Sequence, residues 1–350
     1  MQRLLYLFLT GLLFLTWSLH AQKTGHYVLF NPESRNEHGV RVVFYNVENL
    51  FDFTKDTMAK DEEFLPEGLY GWTPGKFFGK LQSISKVLLS AGGWEPPEII
   101  GLAEVENQSV VSLLATRYPL APFGYRTVHY DSPDLRGIDV ALLFRPDKFQ
   151  LLSSMPIAVK VPEEPLFVTR DILYVKGVVL NRDTLHLFVN HWPSKLGGEK
   201  LSTPHRLAAA RTLKKAVDSL MALNPASHIL VMGDLNDVPT SSVVQSLISN
   251  AGLTHNLMSV PLQKKEKGSY KFSGKWSLID QIIVSSALIG ENGLHVKDGA
   301  CIFAPAFLLV PDEVFGGEKP FRSFLGPRYT GGYSDHLPVY VDLVYPNKHQ

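Results

Sequence analysis

Val231-Met232-Gly233-Asp234-Leu235-Asn236-Asp237 is a run in which an apolar strand leaves through a glycine into Asp, Asn and Asp. A buried strand that ends in a polar cluster of this kind seldom serves packing alone. The competing reading is a polar turn that caps a helix starting at Ser241 or Ser242.

The same grammar recurs on both sides of this run. Segments rich in Val, Ile and Leu read as strands at Val40–Asn46, Glu98–Glu104, Asp139–Arg145, Tyr174–Leu180, Thr184–His191, Ile229–Asp234, Leu278–Ser285 and Leu337–Val344. Two helices interrupt them. Thr73 and Pro74 open the first, Phe77, Leu81, Ile84 and Leu88 line one face, and Gly92-Gly93 ends it. Thr203 and Pro204 open the second, with Leu207, Ala210, Leu213, Val217 and Leu220 as its stripe and Asn224-Pro225 as its stop. Strands alternating with helices make an α/β protein. Several strands end in Asn46, Glu104, His191 or Asp234. In open α/β sheets such ends form one rim, where sequence-distant side chains meet.

No Ser/Gly linker, repeat or low-complexity tract divides the chain, so residues 22–350 read as a single domain. Residues 1–21 carry one charge, Arg3, an apolar run from Leu4 to Leu15, and a small residue at Ala21, which is the pattern of a signal peptide. An uncleaved anchor is the alternative, because the run to Ala21 approaches the roughly 17 residues that a spanning helix needs. Export to the periplasm or the medium follows, without disulfides, since Cys301 is the only cysteine. The whole chain holds 34 basic and 34 acidic side chains. A balance this even excludes the broad positive footprint of a nonspecific nucleic-acid binder, although a local metal and a few arginines still suffice for a phosphodiester.

The strand ends supply what phosphate-ester hydrolysis requires: charge neutralisation, a base, and help for the leaving oxygen. Glu104 closes an apolar strand, where an unpaired carboxylate is costly unless a cation meets it, so it is the leading metal ligand. Asn46 offers a neutral oxygen to the same ion, with Glu48 or Glu106 as alternative carboxylates. His336, in Ser334-Asp335-His336, has the reference pKa of about 6.5 that suits a base near neutrality. Asp280, inside the apolar run Leu278–Ile283, is the carboxylate to orient it.

Asn46, Glu104, Arg170, His191, Asp234 with Asn236, Asp280, and Asp335 with His336 occur in the order found in the endonuclease/exonuclease/phosphatase superfamily, and the chain resembles that family from residue 40 to 344. The resemblance implies a four-layer α/β sandwich, two mixed β-sheets packed face to face with helices outside. It also implies Mg²⁺ or Mn²⁺ held by Glu104 and Asn46, with Asp335 joining a second metal. His336 with Asp280 then activates water or binds phosphate, and Asp234 with Asn236 positions the nucleophile and a phosphoryl oxygen. By the same analogy His191 protonates the leaving group, as in the deoxyribonuclease and sphingomyelinase branches, and Arg170 clamps phosphate. Asp139 orients His191, with a purely structural role as its alternative. Asn-Val-Glu-Asn-Leu-Phe-Asp at 46–52 and Asn-His-Trp-Pro-Ser at 190–194 resemble secreted bacterial members most closely. Glu48 departs from the better-known branches, and the Trp-Cys-Asp-Arg signature of the inositol phosphatases is absent.

The implied activity is that of a phosphodiesterase, first of all a nuclease. A phosphatase or a sphingomyelinase-like phospholipase is the alternative, and an inactive binding protein a further one. The substrate is a phosphate ester, with nucleic acid ahead of a lipid or small phosphoester, and no obligate protein partner is evident. The segment Ala304–Tyr333, with Phe307, Phe315, Phe321, Phe324, Lys319, Arg322 and Arg328, either meets lipid or packs its aromatics onto the body.

Overall fold

The computed structural model describes residues 39–57, 59–195, 197–248, 253–258, 267–290 and 292–346, and the expected signal peptide at 1–21 lies outside them. The chain runs through β1 (Gly39–Leu50), α1 (Pro74–Gly92), β2 (Ile99–Val105), α2 (Gln108–Thr116), β3 (Arg126–His129), β4 (Asp139–Phe144), β5 (Phe149–Ile157), β6 (Ile172–Val179) and β7 (Asp183–His191). Then come α3 (Glu199–Leu223), β8 (His228–Asp234), α4 (Ser242–Ile248) and β9 (Leu253–Asn256). A hairpin of β10 (Tyr270–Phe272) and β11 (Lys275–Ser277) precedes β12 (Asp280–Ser285) and β13 (His295–Ile302). Two further small hairpins, β14 (Leu309–Pro311) with β15 (Glu318–Pro320) and β16 (Phe324–Leu325) with β17 (Arg328–Tyr329), lead to β18 (Val339–Val344).

Two six-stranded sheets result, ordered β13-β18-β1-β2-β4-β3 and β5-β6-β7-β8-β12-β9. Each has one parallel pair at its centre, β1 with β2 and β7 with β8, flanked by antiparallel neighbours. Period-two alternation explains how the sheets are covered. Val42 and Phe44 point to the core shared with Val189, Leu230, Met232 and Ile282 of the other sheet, whereas Val43 and Tyr45 meet α1 and α2 on the outside. Val231 likewise turns outward to Leu213 and Val217 of α3. The expected layering of helices, sheet, sheet and helices is what forms.

All eight expected strands are present, with β12 starting at Asp280 rather than Leu278 and β18 at Val339, just past Pro338. The first helix follows its signals: Thr73 accepts a hydrogen bond from Lys76 N–H, and Gly93 ends the helix at φ 79°. The second does not. It begins at Glu199, so Pro204 lies inside α3 rather than in its first turn. Pro204 has no N–H to give the preceding turn, while the Ser202 and Thr203 hydroxyls bond the Gly198 and Glu199 carbonyls. Among the described residues no helix is long and apolar enough to cross a membrane.

Candidate active site

Register brings three of the expected residues into one row. His191 is the β7 partner of Asp234 on β8, and Asp234 is the partner of Asp280 on β12. The row needs Gly233 beside it, since a Cβ there would lie 2.4 Å from the Asn190 carbonyl oxygen. In the facing sheet Asn46 pairs with Ala103, one residue before Glu104. The chain is strained where these side chains are presented: Glu48, Asn49, Glu104 and Asn236 have φ of 54°, 53°, 64° and 49°. Non-glycine residues adopt this left-handed region at a cost, and such strain gathers at functional sites.

His336 Nδ1 lies 2.8 Å from Asp280 Oδ2, and its Nε2 lies 3.8 Å from Asp234 Oδ2. Burial opposes the charge on His336, but Asp280, Asp234 and Asp335 together hold its pKa well above the usual histidine range. Both ring nitrogens thus face carboxylates, an arrangement that favours the charged form. Asp234 takes the opposite course. Burial pushes its carboxyl up to about 7 despite the pull of His336, and Asp280 and Glu104 add to the rise. A carboxyl raised into this range can exchange a proton near neutrality. Tyr270 lies against the His336 ring, tilted by 32° with 4.7 Å between centroids.

His191 Nε2 stands 3.7 Å from Asp234 Oδ2 and 3.9 Å from Glu104 Oε1. Burial, with Arg170, Arg136 and His336 nearby, pushes its pKa well below the usual value, so the ring is neutral and can offer an N–H but no ready proton. Glu104 behaves as an ionised carboxylate. Burial opposes this, yet Arg136, His336, the Asn49 N–H and Asn46 keep its pKa below the ordinary value.

Several of the expected site residues bond other protein groups. Asn46 turns its amino group to Asp234 (3.1 Å) and Glu104 (3.4 Å), while its oxygen accepts from Glu48 N–H; it presents a donor, not a ligand oxygen. Asn236 donates to the Trp192 carbonyl at 2.9 Å. Arg170 is buried, donating to Asp134 (2.8 Å) and to the His191 and Trp192 carbonyls, bonds that secure the end of β7. Asp139 accepts from the backbone and hydroxyl of Ser132 and faces His129 at 3.3 Å. It does not orient His191, whose Nδ1 has no hydrogen-bond partner among the described residues. Asp335 pairs with Arg322 at 3.1 Å.

Sequence reasoning missed Arg136, which is half-exposed, bonds Asn49 Oδ1 at 2.5 Å and lies 3.9 Å from Glu104. Its place beside Gly137 at φ 70° signalled only a turn. The aromatics of Ala304–Tyr333 pack inward: Phe324 meets Phe64, Tyr70 and Trp72, and Phe307 meets Tyr333, leaving Phe315 exposed.

Paired sheets with acidic and imidazole side chains gathered where their strand ends meet define an α/β metal-dependent phosphoric ester hydrolase. Residues 41–345 match the sequence profile of the Endonuclease/Exonuclease/phosphatase family, and the chain belongs to that family. No curated protein matches it by sequence. Among solved structures, the human Nocturnin catalytic domain with bound sulfate anion is similar at 18% identity and TM-score 0.55, over 88% of this chain and 95% of that one. An endonuclease/exonuclease/phosphatase family protein from Bacteroides thetaiotaomicron is similar at 16% identity and TM-score 0.54, over 88% and 98%. TDP2 from D. rerio complexed with single strand DNA product is similar at 17% and 0.55, over 87% and 98%.

The family's members use divalent metals, and the side chains here suit one. Glu104 and Asp234 face a common space, as their approaches to both His191 Nε2 and Asn46 Nδ2 show. An ionised glutamate that faces a second carboxylate is a donor for a hard cation. Asp234, Asp280 and His336 also cluster closely, but the short Asp280–His336 hydrogen bond commits that pair to each other.

Proposed function

We propose that this protein is an exported phosphodiesterase, with a nucleic acid as its first candidate substrate, residues 1–21 removed as a signal peptide, and residues 22–350 acting as a single catalytic domain. The observation that carries the diesterase reading is the row His191, Asp234 and Asp280 across three neighbouring strands, with His336 bonded to Asp280 and Glu104 opposite.

In this reading Asp234 accepts the proton of the attacking water, because burial places its carboxyl near neutrality. The His336 imidazolium, held charged by Asp280, binds a non-bridging phosphoryl oxygen. Neutral His191 directs its Nε2–H at the leaving oxygen. Glu104 would hold Mg²⁺ or Mn²⁺, and the bound cation would supply charge neutralisation at the phosphoryl group. Help for a leaving oxygen supports a diester. The likeness in fold to a protein crystallised with a single strand DNA product supports nucleic acid over lipid.

The test is hydrolysis of a chromogenic phosphodiester and the matching monoester, with Mg²⁺, with Mn²⁺ and with chelator, using Glu104→Gln as control. Diester cleavage that needs metal and is lost in the variant is the expected result. Preference for the monoester would overturn the diesterase reading, and N-terminal sequencing of exported protein checks cleavage after Ala21.

A further inference from the structure

Glu48 and Asp335 form a second carboxylate pair beside Glu104, and a guanidinium lies between them. Arg322 Nε donates to Glu48 Oε1 and Nη2 to Asp335 Oδ2, each at 3.1 Å. The other oxygen of Glu48 accepts the Ser323 N–H at 2.6 Å, so both oxygens of this buried carboxylate already have donors.

Arg322 is partly exposed, but the turn that carries it is fixed. Lys80 of α1, buried, donates to the Ser323 hydroxyl and to the Tyr333 carbonyl. Backbone bonds from Phe321 to Leu308, Thr330 to Ser323 and Tyr333 to Phe321 fix the turn from which the arginine projects. Phe324, two residues on, is seated in the aromatic core with Trp72 and Tyr70. Ser334 donates to the Asn46 carbonyl at 2.7 Å and so holds Asp335 next to β1.

We infer that Arg322 is a built-in cation that occupies the Glu48–Asp335 pair and makes this protein a one-metal enzyme, the single divalent ion being the one at Glu104. The inference rests on the phosphoesterase reading proposed above. Two carboxylates bonded to one guanidinium draw on its positive charge, to which buried Lys80 adds at Glu48, and a divalent ion is another way to supply such charge. The Ala304–Tyr333 segment supplies an arginine instead, whose planar fork reaches one oxygen on each partner. Arg322 is thereby a positioning residue: it fixes Asp335, the neighbour of His336, without a second ion.

The experiment is Mn²⁺ titration of the purified protein, read as ions bound per chain by calorimetry and by loss of the free-ion paramagnetic signal. The unaltered protein is expected to bind one Mn²⁺, Arg322→Gln two, and Arg322→Lys one, because the lysine keeps the charge. Glu104→Gln in the unaltered background is expected to bind none. Two ions in the unaltered protein would overturn the inference while leaving the phosphoesterase reading intact. One ion in a folded Arg322→Gln protein would also overturn it, since the arginine would then not be what fills the pair. No binding at all in the unaltered protein would remove the metal-dependent reading and the inference with it.

Discussion

His336 and Asp280 join β12 to the segment before β18 through a 2.8 Å hydrogen bond between two buried side chains, and the far nitrogen of the ring faces Asp234. The charge on His336 depends on this partner. Asp280→Asn keeps the shape and removes the charge, so the ring should titrate lower. Diester turnover should fall on the order of 10²- to 10⁴-fold, the range that a positioned proton-handling group contributes. The loss should be smaller at pH 6 than at pH 8, because acid restores the imidazolium. Rates measured across that range check this; a loss equal at every pH would mean that Asp280 acts only by shape.

Arg170→Ala separates a clamp from a brace. The substitution leaves Asp134 buried without its cation and frees the His191 and Trp192 carbonyls. Breaking a buried pair costs about 3 to 5 kcal/mol, or a melting-temperature drop of roughly 4 to 7 °C for a protein of this size. Turnover should fall too, because Asn236 is held by the same Trp192 carbonyl. A raised KM with unchanged melting temperature would restore the clamp.

These two cases show what was legible in the sequence. Asp280 stood out because a carboxylate inside an apolar strand has to be partnered, and the structure supplies the partner. Arg170 stood out equally, but sequence order cannot say whether a guanidinium points into a cleft or into protein. Strands buried on both faces were readable from their apolar runs, whereas β5 was not, since most of its residues are exposed at a sheet edge. Arg322 was readable only as one of the charges of Ala304–Tyr333. Its place depends on a turn fixed by Lys80, far away in sequence.

Gly233 of β8 is the register partner of Asn190 on β7. Gly233→Ala would push a methyl into the Asn190 carbonyl and Cβ, at 2.4 and 2.6 Å, and so part the two strands beside His191 and Asp234. Overpacking of this kind costs about 1 to 3 kcal/mol. We expect turnover to fall about tenfold or more from misplacement at the site. Denaturant unfolding and steady-state rates on one preparation decide; wild-type values for both would show that the strands have slack there.

His186 sets a pH dependence remote from the site. It lies opposite Lys176 on β6, with Nδ1 2.8 Å from the Tyr174 hydroxyl. Burial, with Lys176 and His228 nearby, pushes its pKa down to about 4. The unfolded chain takes up a proton near pH 6.5 that the folded chain refuses until about pH 4, so the unfolded state binds more protons between those values. The stability due to neutral His186 is complete above about 6.5 and is lost as pH falls toward 4. Its ceiling is about 3 kcal/mol at 1.36 kcal/mol per unit, and screening by solvent lowers it. His186→Gln keeps a polar partner for Tyr174 and cannot titrate. Unfolding free energies at pH 7.5, 6 and 5 should fall less steeply in the variant than in the parent, and the other titrating groups, common to both, cancel in the comparison. Parallel curves would mean that His186 carries its proton in the folded protein as readily as in the unfolded one.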